Sequence, residues 1–150
     1  MATLSRLGPS ALPDVAGFDT VVVGASIRYG KHRPEVADFM RRNRTRLERG
    51  RCAFFSVNVV ARKPGKDTPD GNPYVKEFLR EIGWRPALLG VFAGKLDDPR
   101  YGFTDRNVIR LIMLLTDGPT DPKACVDFTH WPGVDAFARR VATLGATVPA

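Results

Sequence analysis

The chain has 150 residues, which suits one domain able to bury roughly 70% of the surface its unfolded form exposes. Hydrophobic residues make up 43% and charged residues 26%, a balance that excludes a disordered chain. With 23 Lys and Arg against 16 Asp and Glu the net charge is +7, so an anionic partner is expected: nucleic acid, an acidic lipid surface, or a carboxylate or phosphate ligand.

Residues 2–7 read either as an edge strand or as a weakly structured start, and loop chemistry follows at Gly8-Pro9-Ser10 and Leu12-Pro13-Asp14. Thr20-Val21-Val22-Val23 is a β-branched run without polar alternation, the pattern of a strand buried on both faces. Gly24 to Gly30 reads as the loop after it. Pro34 opens a helix whose apolar face is Val36, Phe39, Met40 and Leu47, with Gly50 as its stop. Ala53-Phe54-Phe55-Ser56-Val57 is a second buried strand, followed by an irregular stretch over 58–72. Pro73 starts a helix carrying Val75, Phe78, Leu79 and Ile82, and Gly83 ends it. A third buried strand covers 88–93, an apolar helix 105–115, a short strand 126–129, and a terminal helix runs through Val134, Phe137, Ala138 and Val141 to about Gly145. The alternation of strand and helix predicts a single α/β domain, a doubly wound parallel sheet with helices on both faces.

Open α/β sheets bind ligands beyond the carboxyl ends of their strands. Gly24-Ala25-Ser26-Ile27-Arg28-Tyr29-Gly30 follows the first buried strand. It is not a nucleophile elbow, because Arg28 stands where G-x-S-x-G needs Gly. Nor is it a P-loop: five residues separate Gly24 from Gly30, and His32 follows Lys31 where Ser or Thr is needed. A ligand loop and an ordinary β-α turn both remain; in the first, Tyr29 covers a flat ring while Ser26 and backbone N–H groups meet its polar edge. Ser56-Val57-Asn58 ends the next strand at the same sheet edge, and the segment after it adds Arg62, Lys63 and Lys66. A structureless stretch of that length inside a compact domain is uncommon and often functional.

Residues 28–51 hold eight Arg and one Lys against Glu35, Asp38 and Glu48, a net +6. A solvated basic face, an anionic membrane surface and nucleic acid compete for this segment, and no recognised nucleic-acid motif accompanies it. The apolar run 108–115, interrupted by Arg110, falls short of the ~20 residues of a membrane span. It suits a buried helix or an interfacial one flanked by Tyr101, Phe103 and Arg106. The first residues lack the apolar core of a signal peptide. Cys52 and Cys125 form no C-x-x-C pair, so free thiols in a reducing cytoplasm are expected. With only His32 and His130 and no zinc motif, no metal site is expected.

Several segments together resemble the menaquinone-dependent protoporphyrinogen IX dehydrogenases, a flavodoxin-like family of haem biosynthesis. They are Val23-Gly24-Ala25-Ser26-Ile27-Arg28-Tyr29-Gly30, Phe55-Ser56-Val57-Asn58, Val60-Ala61-Arg62-Lys63-Pro64, Trp84-Arg85-Pro86, Ala93-Gly94 and Leu111-Ile112-Met113. The resemblance runs from Phe18 to about Ala142, and periodicity alone does not reach it. It implies FMN held non-covalently at the strand ends. Ser26, Ile27, Arg28, Tyr29 and Gly30 would lie on one side of the flavin, and Phe54, Phe55, Ser56, Val57, Asn58, Val59, Val60, Ala61 and Arg62 on the other. It further implies that protoporphyrinogen IX is oxidised and menaquinone reduced, with the flavin carrying the redox chemistry and no side chain named as acid or base. Arg28, Lys31, Arg62 and Lys63 are the candidates for the substrate propionates, and Asn58 for contact with the flavin. A peripheral place on the cytoplasmic face of the membrane, at an anionic surface near the quinone, completes the expectation, with no nucleic-acid partner.

That family opens with a strand and a polar loop of the Ser/Thr-Arg-Asp-Gly-Gln-Thr kind, which cradles the FMN phosphate at a helix N-terminus. This sequence shows no such segment. The expectation is a domain without its first central strand, which belongs between residues 2–7 and the Thr20 strand, and with weak FMN binding. Another flavodoxin-like quinone reductase, a cofactor-free basic binding module and an inactive gene remnant are the alternatives.

Overall fold

The computed structural model of the chain describes residues 2–9, 12–49, 51–97 and 125–146. Strand β1 (Thr20–Arg28) turns at once into the two-residue β2 (Lys31–His32). Helices α1 (Pro34–Arg42) and α2 (Arg44–Arg49) then carry the chain to β3 (Arg51–Val57). A single 3₁₀ turn (Val59–Arg62) and α3 (Pro73–Ile82) lead to β4 (Leu88–Phe92). Beyond it lie β5 (Lys95–Asp97), β6 (Cys125–Asp127) and α4 (Trp131–Ala146).

The main sheet has the order β2-β1-β3-β4, with β1, β3 and β4 parallel and β2 antiparallel at the edge. Parallel neighbours need a crossover, and the helices between these strands supply it. One sheet face packs Val23, Cys52 and Phe54 against Val36, Phe39, Met40, Leu47, Phe78 and Ile82 of α1, α2 and α3. The opposite face packs Ala53, Phe55, Leu88 and Phe92 against Phe137 and Val141 of α4. Burying a side chain such as Phe54 or Phe78 contributes ~1.5–3 kcal/mol. The expected α/β architecture with helices on both faces is therefore present.

Several boundaries differ from the sequence reading. The first strand does not stop at Val23. It runs on to Arg28, because pairing with β3 continues to Ser26↔Val57 and the hairpin with β2 takes Ile27 and Arg28. Gly24 is thus a strand glycine: a Cβ there would sit 2.3 Å from Phe55 Cζ, so the missing side chain is the space the ring occupies. The single helix expected over 34–50 is two, since the Asn43 side-chain amide donates to the Phe39 carbonyl at 2.9 Å and draws the chain out of helical geometry. Its counterpart α3 begins and ends as expected, with Asn72 as N-cap, Pro73 in the first turn and Gly83 left-handed at the C-cap. The strand expected over 126–129 is β6, and its partner β5 is a three-residue strand without any periodic signal of its own.

Residues 2–7 form no strand, contrary to the edge-strand expectation. They face β1 across a groove of about 530 Å³ lined by residues 3–7 and by Thr20 to Ser26. Among the described residues β1 has no strand partner on that side before Ile27. The apolar helix expected over 105–115 lies outside the described residues, as does the run 108–115.

Replacing Gly24 with Ala should force the Phe55 ring out of its position against Phe92 and Phe137. The expected cost is ~1–3 kcal/mol, read as a lowered urea midpoint. Combining it with Phe55→Leu should cost less than the sum of the two single changes.

Candidate functional site

The parallel register sets the ends of β1 and β3 side by side, Ser26 opposite Val57. The end of β4 joins them: Asn58 N–H donates to the Phe92 carbonyl at 2.9 Å, and Gly94, at φ 75°, lies so close to Val57 that a Cβ would meet its Cγ1 at 2.4 Å. Three strand ends thus converge at one sheet edge. Beside them, an apolar cavity of about 470 Å³ opens between the sheet and α4, lined by Val22, Phe55, Val57, Gly94 and Trp131 among others. That volume is within the usual ligand range of about 300–1,000 Å³.

The sequence-predicted residues divide by environment. Ser26 and Ile27 are strand residues, Ser26 exposed and Ile27 half-buried, and Arg28 ends β1 opposite Lys31. Tyr29 and Gly30 form the connecting turn, both with positive φ, 53° and 81°. Two positive φ values are the mark of a tight hairpin turn, and Tyr29 adopts the left-handed region without being glycine. Its side chain is 59% exposed at the strand ends. Lys31 is exposed beside it.

On the β3 side, Phe54 is wholly buried in the middle of the strand, stacked on Phe78 at 4.5 Å between centroids. It supports the site from within the core. Phe55 packs on the opposite face, and Val57 reaches the apolar cavity. Val59 and Val60 are half-buried and Ala61 is buried. Arg62 lies with its guanidinium 5.7 Å from the centre of the Phe128 ring, joining the 3₁₀ turn to the segment that leads into α4. Lys63 is half-buried directly after it.

Two residues not predicted for the site hold it together. Asn72 caps α3 by accepting from Tyr74 N and Val75 N, and its amide pairs with that of Asn58, Asn72 Nδ2 donating to Asn58 Oδ1 at 2.9 Å. Asn58 Nδ2 donates to Ser56 Oγ at 3.0 Å, and Ser56 Oγ lies 2.7 Å from His32 Nε2. All four side chains are buried. Asn58, expected to touch the flavin, turns its amide into this group. The Asn-Pro pair at 72–73 is a usable helix-start signal; nothing in the sequence marks His32.

Burial pushes the His32 imidazole down from 6.5 to about 4, since the charged form loses its hydration. The unfolded chain therefore binds the proton more readily than the folded one. Stability is complete above pH ~6.5 and falls as the pH drops toward 4, by up to ~3 kcal/mol. His32→Gln removes the titrating ring, so its urea midpoint should vary less with pH across that window. The burial of Cys52 acts in the opposite sense, holding its thiol up at about 12, unreactive at neutral pH.

The sequence is similar to known proteins. A family profile described as a flavodoxin domain matches residues 3–123, which include every strand end of the site. Protoporphyrinogen IX dehydrogenase (quinone) of Escherichia coli strain K12 is 46% identical over 132 residues, 88% of this chain and 73% of that protein. The protein of the same name from Escherichia coli O157:H7 gives the same figures. That of Leishmania major is 42% identical over 135 residues, 90% of this chain and 58% of that protein. No solved structure matches significantly. The chain belongs to the flavodoxin domain family and, within it, to the quinone-type protoporphyrinogen IX dehydrogenases.

Proposed function

We propose that the chain is an FMN-dependent dehydrogenase that oxidises protoporphyrinogen IX to protoporphyrin IX and reduces menaquinone. The identity to the Escherichia coli and Leishmania dehydrogenases carries the reading. The converging strand ends support it, since a flavodoxin domain places a flavin there.

The described residues fit the ring half of FMN better than its phosphate. For the ring, the Tyr29–Gly30 turn offers an exposed aromatic side chain and backbone N–H groups, and the Asn58–Arg62 stretch stands opposite. For a phosphate dianion, the described helix starts offer little. Asn72 already caps α3, the His130 side chain and carbonyl take up the Gly133 N–H at the start of α4, and α1 begins with Pro34 and Glu35. Bound FMN would supply the redox group that takes electrons from the porphyrinogen and passes them on to the quinone. The chain's own residues hold the ring and the substrate. Arg28 and Lys31 of the β1–β2 hairpin, with Arg62 and Lys63 at the end of the 3₁₀ turn, are the cations proposed for the two propionates.

Peripheral attachment to an anionic membrane on the cytoplasmic side is part of this proposal. Its support is the basic segment 28–51, in which Arg42 and Arg49 are exposed on α1 and α2. Among the described residues no helix is long and apolar enough to cross a membrane.

Three experiments test the reading. In a fluorescence titration, FMN and riboflavin should bind within ~tenfold of each other, a difference under 1.4 kcal/mol. A hundredfold preference for FMN would reveal a phosphate cradle outside the described residues, and a protein that takes up no flavin would favour a cofactor-free basic module. Replacing Arg62 and Lys63 together with Ala should raise KM for protoporphyrinogen IX about tenfold, with less change in kcat, because charge-assisted carboxylate contacts contribute ~1.5–3 kcal/mol to ground and transition states alike. A normal KM would move the propionate site to Arg28 and Lys31. Co-sedimentation with vesicles should require anionic lipid and weaken with added salt; equal binding to neutral vesicles would remove the basic segment's role.

A further inference from the structure

The two loops that flank the candidate ring site share one buried run of hydrogen bonds. Asn72 Nδ2 has two protons, one donated to Asn58 Oδ1 at 2.9 Å and the other to the Lys66 carbonyl at 2.8 Å. Asn58 Nδ2 also has two, directed to Ser56 Oγ at 3.0 Å and to Asn72 Oδ1 at 3.4 Å. Ser56 Oγ therefore accepts from Asn58, and it is hydrogen-bonded to His32 Nε2 at 2.7 Å. The bonds join Asn72, Asn58, Ser56 and His32 in one continuous buried run, an arrangement in which each bond polarises the next.

The two ends of this run belong to different loops. His32 stands on β2, two residues after the Tyr29–Gly30 turn. Asn58 leads into the 3₁₀ turn, and Asn72 and the Lys66 carbonyl hold the far side of the same loop. Ser56 is the last strand residue between them whose side chain faces this core, and it is wholly buried.

We propose that the Ser56 hydroxyl is a positioning group that locks the Tyr29–Gly30 turn and the Asn58–Arg62 loop to each other, so that they close on the ring ligand as one preformed clamp. The clamp's ligand rests on the flavin reading above; the coupling of the loops does not. A preformed site loses less conformational freedom on binding, which is how a residue that never touches the ring can set its affinity.

The test separates positioning from general support. Ser56→Ala removes the junction. His32→Leu removes the hydrogen-bond partner of Ser56, whereas His32→Gln restores one. Ile82→Val thins the core under α3 away from both loops and reports the effect of lost stability alone. Amide hydrogen exchange should rise at least tenfold in residues 26–32 and 58–72 together for Ser56→Ala and His32→Leu. Both segments should stay near wild type for His32→Gln and Ile82→Val. Riboflavin affinity should fall about tenfold in the first two variants and change less than threefold in the others. Loosening of only one loop, or an Ile82→Val variant that weakens riboflavin as much as Ser56→Ala does, would overturn the proposal. If the wild-type protein takes up no flavin, the functional reading fails, and hydrogen exchange alone decides the coupling. If Ser56→Ala does not fold, the contrast between His32→Leu and His32→Gln decides the same question.

Discussion

The parallel pairing of β1 with β3 is the constraint on which the rest of the molecule depends. It runs from Thr20↔Arg51 to Ser26↔Val57 and fixes which loops become neighbours. A slip of one residue would exchange the two faces of β3. Phe54 would then leave its stack with Phe78 and Phe55 its contacts with Phe92 and Phe137. Two separate aromatic clusters, one on each face, hold the register. The functional edge inherits its geometry from them, since the Tyr29–Gly30 turn and the Asn58–Arg62 loop are extensions of the two locked strands.

Much of this is readable from residue order. The run Leu88-Leu89-Gly90-Val91 identifies a strand buried on both faces, because a solvated face would show polar alternation. Thr20-Val21-Val22-Val23 shows the same pattern and marks a strand, but its expected burial on both faces does not hold, since Val22 is 43% exposed. The Pro73 start and Gly83 stop of α3 are local chemistry that tertiary packing has no cause to override. The length of β1 is not readable. Gly24, Ser26 and Arg28 look like turn residues, and only the Phe55 ring across the ladder explains why a glycine belongs in the strand. Strands of two or three residues, β2 and β5, are too short to show a period. For the site, the positions of both loops follow from the strand ends. The family follows from the combined motifs, of which Val60-Ala61-Arg62-Lys63-Pro64 is the most distinctive. The buried polar run does not follow from either, because sequence shows that Asn58 and Asn72 are amides but not that they face each other.

Charge shows the same difference between counting and placement. The basic segment 28–51 is +6 by composition, yet its members have different duties. Arg41 meets Asp38 and reaches Glu81 of α3 at 3.6 Å, and Arg44 meets Glu48 at 3.1 Å. Arg46 donates to the Phe18 carbonyl and so ties the N-terminal segment to α2. Exposed ion pairs of this kind contribute little to stability, ~0–1 kcal/mol each. They do orient side chains, and an arginine oriented by a neighbouring carboxylate presents less net field to an anionic surface than its formal charge suggests. Asp38 and Glu48 are already subtracted in the +6, and Glu81 of α3, outside the segment, offsets one charge more beside Arg41.

The two halves of the strand-end site are not equally supported. On the β3 and β4 side, Asn58 is bound to Phe92 through its backbone and to Ser56 and Asn72 through its side chain, with Gly94 packed close to Val57. On the β1 side, Val22 is 43% exposed and lines both the groove toward residues 3–7 and the apolar cavity under α4. Binding affinity depends on how much of a site is already in place, because ordering any remainder is subtracted from the contact energy. A flat ligand resting against the β3–β4 side would find polar groups already fixed in position. Contacts on the β1 side rest on a strand that is paired along one edge and, before Ile27, has no described strand on the other. The hydrogen bond between Ser56 and His32 matters because it carries the order of the β3 side across to the turn of β1, the half of the site with less packing to hold it.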